Sequence, residues 1–154
     1  IDSVVEDVLS ETGMDTEWLE LEVTESIAMK ESHEVTDTLN AFKKQGIAIA
    51  IDDFGTEYSS LSRLKNLQVD RIKIAMPFVQ GIGVSEKDEA IARAIIVLAK
   101  NLGLQTIAEG VETEQQLSFL RQNMCDEIQG FYYYRPMPPE EIEKLLRTFA
   151  DDKG

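Results

Sequence analysis

Apolar residues recur at helical spacing at Val4, Val5, Val8 and Leu9 and stop at Gly13, which predicts an amphipathic helix closed by a glycine. Residues 18–24 then alternate apolar with acidic positions, the pattern of a strand with one face toward polar surroundings. A helix is expected over about 31–44, ended by Gly46, and the apolar run 47–51 reads as a buried parallel strand. The alternation continues: a short helix near 61–67, a strand at about 71–75, a longer helix at about 87–101, and a strand at 104–108. A helix at 114–122 precedes a strand ending near Ile128, a further short strand is expected near 131–133, and Pro138 and Pro139 open the last helix. Strands alternating with helices imply an α/β fold with a parallel sheet, either barrel-like or open and doubly wound.

A length of 154 residues fits one domain, residues 1–154, with a real core and without repeats or linkers before a frayed tail. The 29 acidic residues outnumber the 15 basic ones, for a net charge of -14. That balance argues against polymeric nucleic acid and anionic membrane as partners. A small phosphorylated ligand stays open to such a chain, because divalent cations can bridge carboxylates to phosphates. One cysteine, Cys125, and one histidine, His33, exclude a disulfide framework and a cysteine- or histidine-rich metal site. A cytoplasmic setting is expected, with no apolar run long enough to span a bilayer and no secretory leader. The start at Ile1, already within a helical pattern, reads as a piece cut from a longer protein.

Candidate chemistry collects where the predicted strands end, which is where a parallel barrel carries its reactive groups. The first strand bears Glu22 and then Glu25, the second ends in Asp52 and Asp53, the third carries Lys73, the fourth ends in Glu109 with Glu112 close behind, and Gln129 follows the fifth. Each acid taken singly is readily a solvated charge. Adjacent carboxylates directly after an apolar strand, however, repel one another in a partly buried place unless cations or protons compensate. Oxygen-only ligands select hard cations such as Mg²⁺, Mn²⁺ or Ca²⁺, and two such ions about 3.5–4 Å apart are a known arrangement for splitting phosphodiesters. Lys73 would then hold the attacking water or offset charge on phosphorus; the alternative is a structural salt bridge. The loop 53–60 offers Gly55 for backbone freedom and Ser59 or Ser60 as a helix cap. The aromatic run 132–134 could stack a base, although aromatics beside strands more often belong to a core.

Five motifs, LEVTES at 21–26, DDFGTEYSS at 52–60, DRIKI at 70–74, AEGVET at 108–113 and QG at 129–130, resemble the EAL domain family in order and spacing. The resemblance covers about residues 4–146 and implies an incomplete TIM-like (β/α) barrel. It implies a phosphodiesterase that opens cyclic di-GMP to linear pGpG with Mg²⁺ or Mn²⁺ as cofactor and Ca²⁺ as inhibitor. By position, Glu22, Asp52, Asp53 and Glu109 are similar to the family's metal ligands, Lys73 to the lysine near the attacking water, and Glu25 to the residue that anchors the loop after Asp53. Glu112 resembles a supporting catalytic group and Gln129 a substrate or water contact. A homodimer and an attached sensory or GGDEF domain upstream are expected from the same resemblance.

Three departures follow. The Glu-Ala-Leu motif, an Asn on the next strand and an upstream Arg would precede Ile1. Glu57 stands where the family usually has Gly, and Ala75 where its lysine motif continues with Asp. Glu57 and Ala75 motivate one alternative, a receptor that binds cyclic di-GMP without cutting it; a second alternative is a structural or dimerisation module that responds to an attached sensor and has no ligand of its own. With the upstream motifs outside the chain and 154 residues too few to close a barrel, the chain alone is expected to have little activity and to leave a sheet edge exposed.

Overall fold

The computed structural model describes residues 2–57 and 60–151. Helix α1 (Asp2–Thr12) and a 3₁₀ turn (Thr16–Trp18) lead into β1 (Glu20–Thr24), α2 (Glu25–Ala28), α3 (His33–Lys44) and β2 (Ala48–Phe54). Then come α4 (Leu61–Leu64), β3 (Arg71–Ile74), α5 (Met76–Gln80), α6 (Glu86–Leu102) and β4 (Gln105–Glu109). The chain closes with α7 (Glu114–Gln122), β5 (Glu127–Gln129) and α8 (Pro139–Asp151).

The five strands are all parallel and lie in sequence order, β1-β2-β3-β4-β5. This is the α/β arrangement expected from the alternating pattern. The sheet does not close into a barrel, so β1 and β5 are its edges among the described residues.

Register separates two chemistries on the two faces, because side chains alternate along a strand. Leu21, Ile49, Ile51, Ile72, Ile74 and Ala108 fall on the face that packs against helices, and those from β2, β3 and β4 are buried. Each fully buried isoleucine contributes about 1.5–3 kcal/mol. On the opposite face the register sets Glu22 beside Ala50, Arg71 beside Gln105, Lys73 beside Ile107 and Glu109 beside Gln129. That face, the inner one of a barrel, is charged. Arg71 ties its lower edge together with ion pairs to Glu20 and Glu127, both at 3.3 Å, and a hydrogen bond to Gln105 at 3.1 Å. Burial pushes the Glu20 carboxyl above the usual range, with the Arg71 charge opposing the shift.

Several expectations are corrected. Residues 131–133 form a turn rather than a strand, because the backbone of Tyr132 is drawn back onto Val111 (N–H to O, 2.9 Å) instead of joining the sheet. Trp18 lies in the 3₁₀ turn, 76% exposed, and the strand begins only at Glu20. The short helix near Leu61 ends at Leu64, and Ser60 occupies its N-cap without a side-chain hydrogen bond. Ser59 lies outside the described residues.

Candidate active site

Lys73 sits at the centre of the charged face. Strand β3 delivers it with Ile72 and Ile74 locked in the core on the other side, and its side chain is almost wholly buried. Its ammonium reaches Glu22 Oε1 at 2.6 Å, Glu109 Oε1 at 2.8 Å and Asp52 Oδ1 at 3.2 Å, so three strands converge on one nitrogen. Burial disfavours its charge, yet the hydrogen bonds to Glu109, Glu22 and Asp52 outweigh it and push the pKa above the ordinary lysine value. Lys73 is thus a fixed cation and a hydrogen-bond donor.

Asp52 and Asp53 are consecutive, and consecutive residues of a regular strand point to opposite faces. Here the pairing of β2 with β3 slips between Ile51 and Phe54, and Asp53 has φ 53, a left-handed conformation. The irregularity lets both carboxylates face the same place: single oxygens of Asp52, Asp53 and Glu109 all lie within 4.8 Å of one another. Strained backbone of this kind persists where surrounding structure holds it. Asp53 N–H donates to Asp52 Oδ1 at 3.0 Å, and Thr56 Oγ1 donates to Asp53 O at 2.8 Å. The spacing and oxygen-only chemistry of these three groups fit a hard divalent cation.

Glu25 begins α2 directly after β1 and is 1% exposed. Its Oε2 accepts from the backbone N–H groups of Gly55 at 2.9 Å and of Thr56 and Glu57 at 3.2 Å. The carboxylate therefore gathers the loop that follows the aspartate pair. Glu57 itself is exposed and lacks the positive φ for which glycine would be required. Ala75 is fully buried at the entry to α5, so no carboxylate stands there.

Glu112 and Gln129 do not join the Lys73 cluster. Both are exposed on the rim beyond Glu109 and line a neighbouring cavity of about 470 Å³. The Glu112 N–H donates to the buried Gln116 Oε1 at 2.7 Å, within the capping box of α7. The cavity also takes in Met76, Phe131, Tyr134 and Arg135, and the Arg135 guanidinium lies 4.7 Å from the Phe131 ring centroid. The sequence reading passed over Arg135 and gave little weight to the aromatic run beside it, whose position after a strand end was the available signal. No helix among the described residues is long and apolar enough to cross a membrane.

The EAL domain pattern matches residues 2–136. Over 153 residues the chain is 42% identical to the cyclic di-GMP phosphodiesterase NbdA of Pseudomonas aeruginosa, which covers 97% of this chain and 20% of that protein. Its fold is similar to the PaMucR phosphodiesterase solved as a cyclic di-GMP complex, with TM-score 0.86 and 41% identity over 90% of this chain and 56% of that one. It is also similar to Klebsiella pneumoniae BlrP1 solved with manganese and cyclic di-GMP, with TM-score 0.79 and 33% identity over 87% of this chain and 34% of that one. BlrP1 has been solved with calcium and the same dinucleotide as well. The chain spans about a fifth of the length of the curated relatives it matches.

Proposed function

Because the chain belongs to the EAL domain family, we propose that the complete domain hydrolyses cyclic di-GMP to linear pGpG with Mg²⁺ or Mn²⁺, in the cytoplasm and as a homodimer coupled to a sensory or GGDEF domain upstream. The observation that carries this reading is the convergence of Glu22, Asp52 and Glu109 on Lys73, with Asp53 turned toward the same place. Glu22, Asp52, Asp53 and Glu109 would hold the cations, which supply Lewis acidity toward the phosphate and acidify water at neutral pH. Ca²⁺, larger and looser in its geometry, would fill the same oxygen site without supporting turnover.

The remaining steps fall to the chain's own groups. Water adds to one phosphorus, the bond from phosphorus to the 3′ oxygen breaks, and a free 3′-hydroxyl and a terminal 5′-phosphate result. Lys73 is protonated, so it cannot take the proton of the water; it donates hydrogen bonds and balances the negative charge that grows on the phosphorus oxygens. The proton of the water passes by way of a carboxylate of the cluster to the departing 3′ oxygen, which leaves as the hydroxyl. Glu25 acts one step removed, holding the 55–57 backbone so that Asp53 keeps its aim. Gln129, in register with Glu109, would contact substrate or water at the rim.

The receptor reading rests on Glu57 and on Ala75, a buried methyl directly after β3. Turnover by the complete domain with Mg²⁺ and Mn²⁺, with pGpG identified as product, supports the enzyme. Tight binding with no pGpG under either metal supports the receptor.

A further inference from the structure

We propose that the short helix α5 is a wedge that sets the spacing of the carboxylate cluster, with Phe78 and Met76 as positioning residues for the two loops beside it. The proposal rests on the metal-dependent reading above and deepens it by assigning what fixes Asp53 and Glu109 relative to each other.

Helix α5 follows β3 directly, so it continues the strand that carries Lys73, and it meets both the loop after β2 and the loop after β4. Each loop presents a glycine to it. Gly55, two residues after Asp53, has φ 98, and a Cβ there would stand 2.9 Å from both Phe78 Cε2 and Ile95 Cδ1. Gly110, next to Glu109, has φ 73, and a Cβ there would stand 2.6 Å from Met76 Cγ. Any other residue at either place would meet both a strained backbone and an occupied volume. The glycines thus bring the backbone of each loop into contact with one side chain of α5.

A five-residue helix does not hold its own shape, since its first turn fixes many dihedrals for few hydrogen bonds. No side chain caps its N-terminus either. The helix is fixed from outside. Ala75 and Val79 are fully buried, Pro77 restricts the first turn, and a Cβ on Gly81 would collide with the Asp88 side chain of α6. Gly83 N–H then donates to Glu89 Oε1 at 2.9 Å, so the wedge is anchored at its start in the β3 core and at its end on α6.

Two kinds of contact hold the Gly55 loop. Hydrogen bonds to Glu25 orient its backbone, while packing on Phe78 and the buried Ile95 limits where that backbone can lie, because close-packed groups resist displacement. In the other loop the N–H groups of Val111 and Glu112 are bonded to Gln129 O at 3.2 Å and Gln116 Oε1 at 2.7 Å, and Met76 fills the space beside Gly110. Both loops are therefore located against one fixed helix, and so are the carboxylates beside them, whose oxygens lie within 4.8 Å of one another. A cation that demands set oxygen distances is sensitive to that spacing.

The test uses the complete domain and compares wild type with Phe78→Ala, Phe78→Leu, Met76→Ala and a matched truncation, Phe42→Ala. Phe42 is 4% exposed on α3, and its backbone oxygen accepts from Ile47 N–H just before β2, at the end of the sheet away from the carboxylates. The readouts are Mn²⁺ affinity by calorimetry and, without metal and well below melting, amide exchange at residues 55–57 and 111–112. Phe78→Ala accelerates exchange at 55–57 and weakens Mn²⁺ binding by about 10-fold or more, the scale of lost support behind metal ligands. Phe78→Leu, which keeps most of the apolar volume, recovers most of both. Met76→Ala accelerates exchange at 111–112 and also weakens Mn²⁺ binding. Met76 is 45% exposed, so its truncation is tolerated by the fold and decides the question should Phe78→Ala not fold. Phe42→Ala melts lower yet keeps wild-type Mn²⁺ affinity and wild-type exchange in both loops. Wild-type exchange and Mn²⁺ affinity in Phe78→Ala and Met76→Ala, or an equal loss of affinity in Phe42→Ala, would overturn the wedge while leaving the phosphodiesterase reading intact. A wild-type domain that binds no Mn²⁺ and releases no pGpG would overturn that reading and the wedge with it.

Discussion

Lys73 and Glu22 meet at 2.6 Å although their strands, β3 and β1, are separated by β2. Between them, in register with Glu22, stands Ala50, whose methyl leaves room for the two long side chains to close over it. The ammonium draws on Glu22, Asp52 and Glu109, and a divalent cation at the proposed site would compete with it for two of them, Asp52 and Glu109.

Lys73→Met removes the charge that balances three converging acids. Their partial exposure moderates the effect, and a loss of about 1–3 kcal/mol is expected in the metal-free protein, below the figure for a fully buried pair. In the wild type this stabilisation is present below the lysine's unfolded pKa of about 10.4 and is lost only as pH rises through its raised folded value. Thermal unfolding of the complete domain with chelator and then with Mn²⁺ checks the account: the variant melts lower without metal and gains more from Mn²⁺ than the wild type. An equal gain in both would show that ammonium and cation do not share these carboxylates.

Glu25→Ala leaves three backbone N–H groups without their charged acceptor. Hydrogen bonds to charged groups contribute about 1.5–3 kcal/mol each, so amide exchange at residues 55–57 should accelerate by at least tenfold and turnover should fall with it. Unchanged exchange there would remove Glu25 from its positioning role.

The carboxylate constellation was legible because it needs little more than strand order. Once the strands are found, Glu22, Asp52, Lys73 and Glu109 fall at corresponding ends. Helices α2 and α5 were not legible, being four and five residues long and too short to express a helical period. The 131–133 turn was hidden by aromatic residues that favour strands in general, while its actual partner, Val111, is distant in sequence. The bulge that turns Asp53 beside Asp52 leaves no mark in a hydrophobic pattern, since it depends on pairing between strands. Arg135 and its stack on Phe131 arise from side-chain packing, which periodicity does not report.

Glu57→Gly, the residue expected there from the resemblance, should alter turnover by no more than about twofold. The side chain is exposed and the backbone does not need glycine's freedom, and surface substitutions of this kind stay within about 0.5 kcal/mol. Parallel kcat measurements on the two complete domains decide this, and a change of tenfold or more would assign Glu57 a functional role.

The 154 residues alone are expected to give little or no turnover. Their sheet is open at β1 and β5, and a closed barrel has eight strands. A misplacement of about 1 Å at a reacting centre costs on the order of 100-fold. An assay of this chain by itself, beside one complemented with the rest of the parent domain, distinguishes the cases. Robust hydrolysis by the chain alone would contradict the expectation.

The most direct test of the central claim is the rate of pGpG formation by the complete domain and its Asp52→Asn variant, across a Mn²⁺ titration. An amide cannot replace the charge that Asp52 brings to the Asp53 and Glu109 cluster, so metal affinity falls and turnover drops by at least 100-fold, an expectation on the order of one missing ligand. Wild-type turnover and Mn²⁺ affinity in the variant would contradict the assignment of this cluster as the metal-dependent phosphodiesterase site.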